Sequence, residues 1–312
     1  EGVDAMIRLR RSTMNVAGNQ FDKIRNVLNS NVDVVMMDLE DAVPEADKDT
    51  GRATAVRALR ELNFGQKVRC VRINGWETPH ARPDVEAVVA AGADEIKLTK
   101  CESAAQVREL DELLTQCEEQ NGLAPGSVEI SMMIESPLGV LHAYDIMSAS
   151  SRVSSVSLGA GDLASALGVD RDMSPGSPQL LNSKQHLVLC ARAAGVRWIL
   201  DTSLVAVNGQ TPLEAIAPLK EDCTLMKSLG FNGRSAIYFE HIDPINAIFS
   251  PTQEEESFAR RVVAYWEKGM ATGDTSCFVV DGRHLDSGKY DKAREVLELA
   301  NAIHALKEGK EV

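Results

Sequence analysis

Acidic residues stand where three short runs of strand-forming residues end: Met36-Met37-Asp38-Leu39-Glu40-Asp41, Met132-Met133-Ile134-Glu135-Ser136 and Leu158-Gly159-Ala160-Gly161-Asp162-Leu163. A fourth run, Val71-Arg72-Ile73-Asn74, carries an arginine in the same way. Carboxylate oxygens are ligands for hard cations, so this pattern points to a divalent-cation site. In a barrel of parallel strands every C-terminal strand end opens onto one face, and groups far apart in sequence converge there. Packing alone does not account for charges at four such ends, because burying an unpaired charge costs several kcal/mol. Each residue also has a plainer reading: Asp38 or Asp41 as a helix N-cap or solvated loop charge, Arg72 as half of a structural ion pair, and Lys100 as the neutralising partner of Glu40.

The elements that would aim these groups can be read from periodicity. Apolar, β-branched runs at 12–16, 33–38, 67–74, 95–100, 129–135, 153–159, 197–201 and 233–239 give eight candidate strands. Amphipathic stretches at 20–30, 47–62, 82–91, 104–120, 138–148, 183–194, 212–228 and 252–268 give the helices between them. Eight strand-helix units favour an α/β fold of the (β/α)8 TIM-barrel type over an open doubly wound sheet. Gly92, Gly195 and Gly230 follow helices where C-caps are expected. The barrel domain is expected over residues 1–268. Residues 269–312 form a C-terminal strand-helix extension: a polar connection (269–276), a strand (277–280), a turn at Asp281-Gly282 and a helix over about 287–307. Too small to fold alone, the extension is expected to pack on the barrel or on a neighbouring subunit.

Composition narrows the function classes. A chain of 312 residues, 44% hydrophobic, can bury a full core. Its net charge of -13, from 33 basic and 46 acidic residues, argues against a general nucleic-acid surface. No apolar run approaches the ~20 residues of a membrane span, and the N-terminus carries no signal-peptide core, so no membrane association and a cytoplasmic location are expected. The six cysteines, Cys70, Cys101, Cys117, Cys190, Cys223 and Cys277, lack metal-ligand spacing and read as reduced, small core residues. The six histidines show no zinc spacing, although His284 adjoins an acidic motif in the extension.

Taken in order, the motifs resemble those of the citrate lyase β-subunit-like (HpcH/HpaI aldolase/citrate lyase) family, acyl-thioester carbon–carbon lyases that include malyl-CoA and citramalyl-CoA lyases. The segments that carry the resemblance run nearly end to end: Arg11-Ser12 with Ala17-Gly18-Asn19, Asp38-Leu39-Glu40-Asp41-Ala42-Val43, Val71-Arg72-Ile73-Asn74, Leu98-Thr99-Lys100, Ile134-Glu135-Ser136, Gly159-Ala160-Gly161-Asp162-Leu163, Leu229-Gly230-Phe231-Asn232-Gly233 and Val280-Asp281-Gly282-Arg283-His284-Leu285-Asp286.

The resemblance implies that Glu135 and Asp162 hold Mg2+, with waters and a 2-oxo- or hydroxy-carboxylate completing its shell; magnesium commonly binds through one or two carboxylates and keeps several waters. It implies that Arg72 pairs with substrate oxygens and that Glu40 and Asp41 act through metal-bound water. Gly159, Ala160 and Gly161 would let the backbone receive the substrate carboxylate, and Lys100 would add a charge at the mouth. Arg11, with Arg8 and Arg10, would meet the anionic part of coenzyme A at the rim. Asp286 would be the acid that protonates the thioester enolate carbon, donated across a subunit interface in a homotrimer or hexamer.

The implied reaction is Mg-dependent cleavage of a citryl, citramalyl or malyl thioester, borne on coenzyme A or an acyl-carrier protein, to a 2-oxoacid and an acyl thioester. A class II aldolase on free 2-oxoacids, a thioesterase on the same substrates, and a non-catalytic acyl-carrier-binding subunit are the alternatives. Three places depart from the common pattern: Thr99 in place of proline, Ala236-Ile237-Tyr238-Phe239 at the eighth strand, and the loop Asp172-Met173-Ser174-Pro175-Gly176-Ser177, which could cap the site.

Overall fold

Strand β1 (Ser12–Ala17) pairs in parallel with β2 (Val34–Asp38). The ladder continues through β3 (Val68–Arg72), β4 (Glu95–Leu98), β5 (Glu129–Ile134), β6 (Val153–Leu158), β7 (Trp198–Asp201) and β8 (Gly233–Ala236). Because β8 pairs back onto β1, the eight parallel strands close into a barrel with no free edge. The computed structural model describes residues 7–206, 209–273 and 278–309. All eight expected strands are present, the last ending at Ala236.

Around the barrel run α1 (Phe21–Val27), α2 (Lys48–Glu61), α3 (Ala81–Val89), α4 (Ala104–Asn121), α5 (Pro137–Leu141), α6 (Ala143–Met147), α7 (Ala160–Ala166), α8 (Leu181–Ala193), α9 (Ile216–Ser228) and α10 (Ile242–Phe249). The main apolar core lies between these helices and the strands. Helix α4 has the clearest local encoding: Ser103 and Gln106 form a reciprocal capping box, and Gly122 closes the C-terminus at φ 64.

Two helical expectations are corrected, and one short helix is added. The single helix over 138–148 is two short ones, since His142 leaves helical geometry at φ -96, ψ 8. The ninth helix begins at Ile216 rather than 212; residues 212–215 form a turn whose start is held by hydrogen bonds from the Thr211 backbone and hydroxyl to Glu214. Helix α7, which no periodic stretch announced, begins at Ala160 directly after Gly159, and its two turns are too short to show periodicity.

Inside the barrel, side chains from alternate positions form a separate small cluster of Val34, Met36, Val68 and Cys70. A polar layer joins it, in which Lys97 Nζ donates to Ser131 Oγ at 3.2 Å and Ser155 Oγ contacts Ser131 Oγ at 2.7 Å. Ion pairs close the N-terminal end. Arg10 reaches Glu95 (2.7 Å) and Glu129, and Arg11 grips Asp33 through Nε (2.9 Å) and a terminal nitrogen (2.7 Å).

The chain divides into two compact units, Arg10–Phe249 and the residues up to Leu9 together with Ser250 onward. The second contains α11 (Gln253–Thr272), the antiparallel strands β9 (Val279–Val280) and β10 (Arg283–His284), and α12 (Ser287–Lys307). Its small core joins Ala259 and Val262 of α11 to Val280, Leu285 and Ala293. Helix α11, which periodicity counted with the barrel up to residue 268, therefore groups with the extension. The expected turn at Asp281-Gly282 is present, both residues having positive φ, whereas Cys277 lies outside the described residues. Among the described residues no helix is long and apolar enough to cross a membrane.

Candidate metal and substrate site

Asp38 ends β2 and Arg72 ends β3; Glu135 follows β5 directly, and Gly159 follows β6. All therefore lie on the C-terminal face of the barrel, which in this architecture carries the chemistry.

Glu135 is 4% exposed. Its Oε1 accepts the backbone N–H of Lys100 at 2.7 Å. Lys100 adopts φ 51, a conformation rarely held by a residue with a side chain, and this sets the N–H that meets Glu135. Burial pushes the Glu135 carboxyl up to about 7 despite that hydrogen bond, and the neighbouring Asp162 carboxylate adds to the rise by charge and by contact. Asp162 sits in the first turn of α7 and faces solvent. The turn between β6 and α7 reaches Glu135 only because residue 159 is glycine. A Cβ there would lie 2.4 Å from Glu135 Cβ and 2.6 Å from Oε2.

Glu40 is buried, and its backbone turn is held by Lys48, whose Nζ donates to the carbonyls of Leu39 (2.9 Å) and Glu40 (2.7 Å). Lys100 Nζ lies 2.5 Å from Glu40 Oε1 and 3.6 Å from Asp41 Oδ1. Burial and then the contact with Asp41 raise the Glu40 carboxyl above its ordinary range. At Asp41 burial pulls upward too, but the hydrogen bond from Glu40 and the charges of Arg72 and Lys100 outweigh it and hold the carboxyl low.

Arg72 is oriented by Asp38. Nε donates to Oδ1 at 2.7 Å, and NH2 donates to Oδ2. Asp38 also accepts the N–H of Glu40 (2.9 Å) and of Ala42 (3.3 Å), so one carboxylate fixes both the arginine and the β2 loop. NH1 is left 3.4 Å from Glu40 Oε2 and 3.8 Å from Met133 Sδ. The sequence alone offers Asp38 as part of a strand-end acidic segment, a helix N-cap or a solvated loop charge. Its actual partner follows from strand register, in which Asp38 and Arg72 are side by side at adjacent strand ends.

The structure thus brings Arg72, Glu40 and Lys100 together, and likewise Glu135, Gly159 and Asp162. Ala160 is buried at the start of α7, while a side chain at Gly161 would meet nothing within 4 Å. Arg11 does not join them, and the expectation of a rim role is corrected: it precedes β1, pairs with Asp33 before β2, and so lies at the opposite end of the barrel. Asp286 belongs to the second unit, where its Oδ1 accepts from Lys289 N at 2.8 Å and caps α12; its side chain is 63% exposed. That backbone hydrogen bond, aided by the Lys289 side chain, lowers its pKa. Among the described residues no group of three or more His, Cys, Asp or Glu side chains is arranged to hold a metal. The two convergent carboxylates fit the sparse protein shell typical of magnesium rather than a closed zinc cage. Burial raises the Cys70 thiol and pushes Cys101 up to about 12, so neither is a thiolate at neutral pH.

The HpcH/HpaI aldolase/citrate lyase family model matches residues 11–238. A citrate lyase subunit beta of Leuconostoc mesenteroides subsp. cremoris is 34% identical over 299 residues, covering 96% of each chain. A (3S)-malyl-CoA thioesterase of Cereibacter sphaeroides is 30% identical over 300 residues, covering 95% of this chain and 96% of that one. Among solved structures, CitE of Mycobacterium tuberculosis in complex with magnesium, acetoacetate and coenzyme A matches the fold with a TM-score of 0.68 at 24% identity, over 95% of this chain and 100% of that chain. A match spanning the eight-stranded barrel and a relative aligned over nearly its whole length together mean that the chain belongs to the HpcH/HpaI aldolase/citrate lyase family.

Proposed function

We propose that the protein is a magnesium-dependent carbon–carbon lyase that cleaves a β-hydroxyacyl thioester of the citryl, citramalyl or malyl type to a 2-oxoacid and an acyl thioester. The observation that carries this reading is the convergence of buried Glu135 with Asp162 over Gly159, beside a mouth holding Arg72, Glu40 and Lys100. Glu135 and Asp162 would hold the ion, which when bound lowers the pKa of the substrate hydroxyl and stabilises negative charge on the oxoacid oxygens. A solved relative bound to magnesium, acetoacetate and coenzyme A supports that choice of ion and ligands.

In cleavage the hydroxyl loses its proton and its carbon becomes the oxoacid carbonyl. The adjacent carbon–carbon bond breaks, its electron pair passes into the thioester enolate, and the enolate carbon takes up a proton. Arg72 would meet the developing oxoacid oxygen through NH1, since Asp38 occupies its other edge. Glu40, held by Lys100, would orient water beside Asp41 and Asp162. Gly161 leaves room for the substrate carboxylate. Asp286 would deliver the proton to the enolate carbon from a neighbouring subunit of a trimer or hexamer.

Thioester hydrolysis is the second reading, favoured by the relative that is a malyl-CoA thioesterase. Incubation of the purified protein and magnesium with malyl-, citramalyl- and citryl-CoA, following oxoacid and thioester separately, distinguishes the two. Oxoacid released with the thioester retained supports the lyase; free thiol without oxoacid supports the thioesterase; no turnover of any of the three rejects both for these substrates.

A further inference from the structure

The segment that follows the Asp162 helix is tied down by charges that the reaction does not use. Helix α7 ends at Ala166, and the chain then runs out through residues 168–177 before the turn at Pro178–Leu180 returns to pack against α7. The segment is fastened at two points. Arg171 NH2 donates to the carbonyl of Ser203, just past β7, at 2.6 Å. The N–H of Gly176, in the left-handed region at φ 85, donates to Asp222 Oδ1 of α9 at 2.6 Å.

Asp222 is the last member of a buried charge chain. Its Oδ2 lies 2.5 Å from Arg234 NH2 of β8. The same NH2 is 3.2 Å from Asp201 Oδ2 of β7, and Lys184 Nζ of α8 is 3.1 Å from Asp201 Oδ1. All four residues are at most 3% exposed. Asp201 and Arg234 are register partners on adjacent strands, and their side chains face the helices, outside the barrel interior. Two cations and two anions buried together pay a desolvation cost that apolar packing would avoid, so the arrangement is better explained by the geometry it enforces.

We propose that Asp222 and Arg171 are positioning residues: they hold residues 168–177 as a strap on the C-terminal face of the barrel, and the strap, closing back on α7, fixes where Asp162 points. This rests on the reading of Asp162 as a metal ligand. The strap contains the 172–177 loop that departs from the family pattern, so its anchoring also determines how that loop stands beside the mouth.

Hydrogen exchange of strap peptides, with magnesium affinity measured by calorimetry on the full-length protein, tests this. Asp222→Ala and Arg171→Met should speed exchange over 168–177 by about tenfold or more while β5 and β6 stay protected, and should weaken magnesium binding by about tenfold. Asp222→Asn has one acceptor oxygen where the aspartate uses two, for the Gly176 N–H and for Arg234 NH2, so it should fall between the wild type and Asp222→Ala in both. Should Asp222→Ala fail to fold, Arg171→Met leaves the four-charge chain whole and carries the comparison. Exchange as slow in Arg171→Met as in the wild type overturns the anchoring. Fast exchange with unchanged magnesium affinity overturns the link to Asp162. A wild-type protein that binds no magnesium overturns the metal reading instead, and the exchange rates then still decide whether the strap is anchored.

Discussion

Asp38 takes the Nε and NH2 edge of Arg72 and leaves NH1 pointing at Glu40, so the arginine reaches the mouth of the barrel already half used. Lysine at position 72 would keep the charge but could not bind Asp38 at two points and present a third donor. Arg72→Lys should lower kcat/KM by about tenfold or more, ~1.4 kcal/mol of transition-state stabilisation. Asp38→Asn should produce a loss of similar size although Asp38 itself would not touch substrate. Steady-state kinetics on the best of the three thioesters check both, and unchanged efficiency in Arg72→Lys would make the pair purely structural.

The second relationship lies between Gly159 and Glu135. Since any Cβ at 159 would overlap Glu135, Gly159→Ala should displace the carboxylate and weaken magnesium binding by about tenfold without unfolding the barrel. Glu135→Gln and Asp162→Asn should each abolish most magnesium-dependent turnover, and EDTA should mimic them. Calorimetry with magnesium, alongside circular dichroism for the fold, separates a lost ligand from a lost structure. Near-wild-type metal affinity in Glu135→Gln would remove that residue from the site.

Away from the site, Glu118 gives a pH signature. Arg152 binds both its oxygens, at 2.6 and 2.8 Å, and the N–H groups of Gly126 and Val128 add two more hydrogen bonds. Burial alone would raise its pKa, but these partners outweigh burial and bring it from an ordinary 4.5 to about 2. With the folded value depressed, the contribution to stability is fully present above about 4.5 and is lost as pH falls through about 2. It is on the order of 3 kcal/mol. Glu118→Gln should therefore be destabilised in urea melts at pH 7 and approach the wild type near pH 2. A constant difference across that range would contradict the assignment.

What could be read from the chain follows the physics of each signal. Strands announce themselves by apolar runs, and the strand-end acids Glu135 and Asp162 were visible because charge is conspicuous beside such runs. Register is not visible in the same way. Asp38 meets Arg72 because two strands end level, a relation between residues 34 apart that no local pattern encodes. The place of Arg11 was legible where its partner was not: a residue preceding the strand at 12–16 falls at the N-terminal end of a parallel barrel, and there it pairs with Asp33, a relation between residues 22 apart. The purpose of Gly159 was half legible. Close approach was expected of it, but the group approached is Glu135 of the neighbouring strand end.

Asp286 offers the most discriminating test of the assembly. It starts α12, caps that helix through Lys289 N, and still leaves its side chain largely open to solvent, as a group aimed at a second molecule would be. Asparagine is as good an N-cap as aspartate, so Asp286→Asn should preserve the helix while removing the acid. The variant should bind magnesium and oxoacid normally and fail in proton transfer at the thioester carbon, which deuterium incorporation from solvent would read. If the acid acts across an interface, inactive Asp286→Asn chains mixed with inactive Glu135→Gln chains under conditions of subunit exchange should recover part of the activity, because some interfaces would join an intact metal site to an intact aspartate. No recovery despite demonstrated exchange, or full activity in an isolated monomer, would leave Asp286 with its capping role alone.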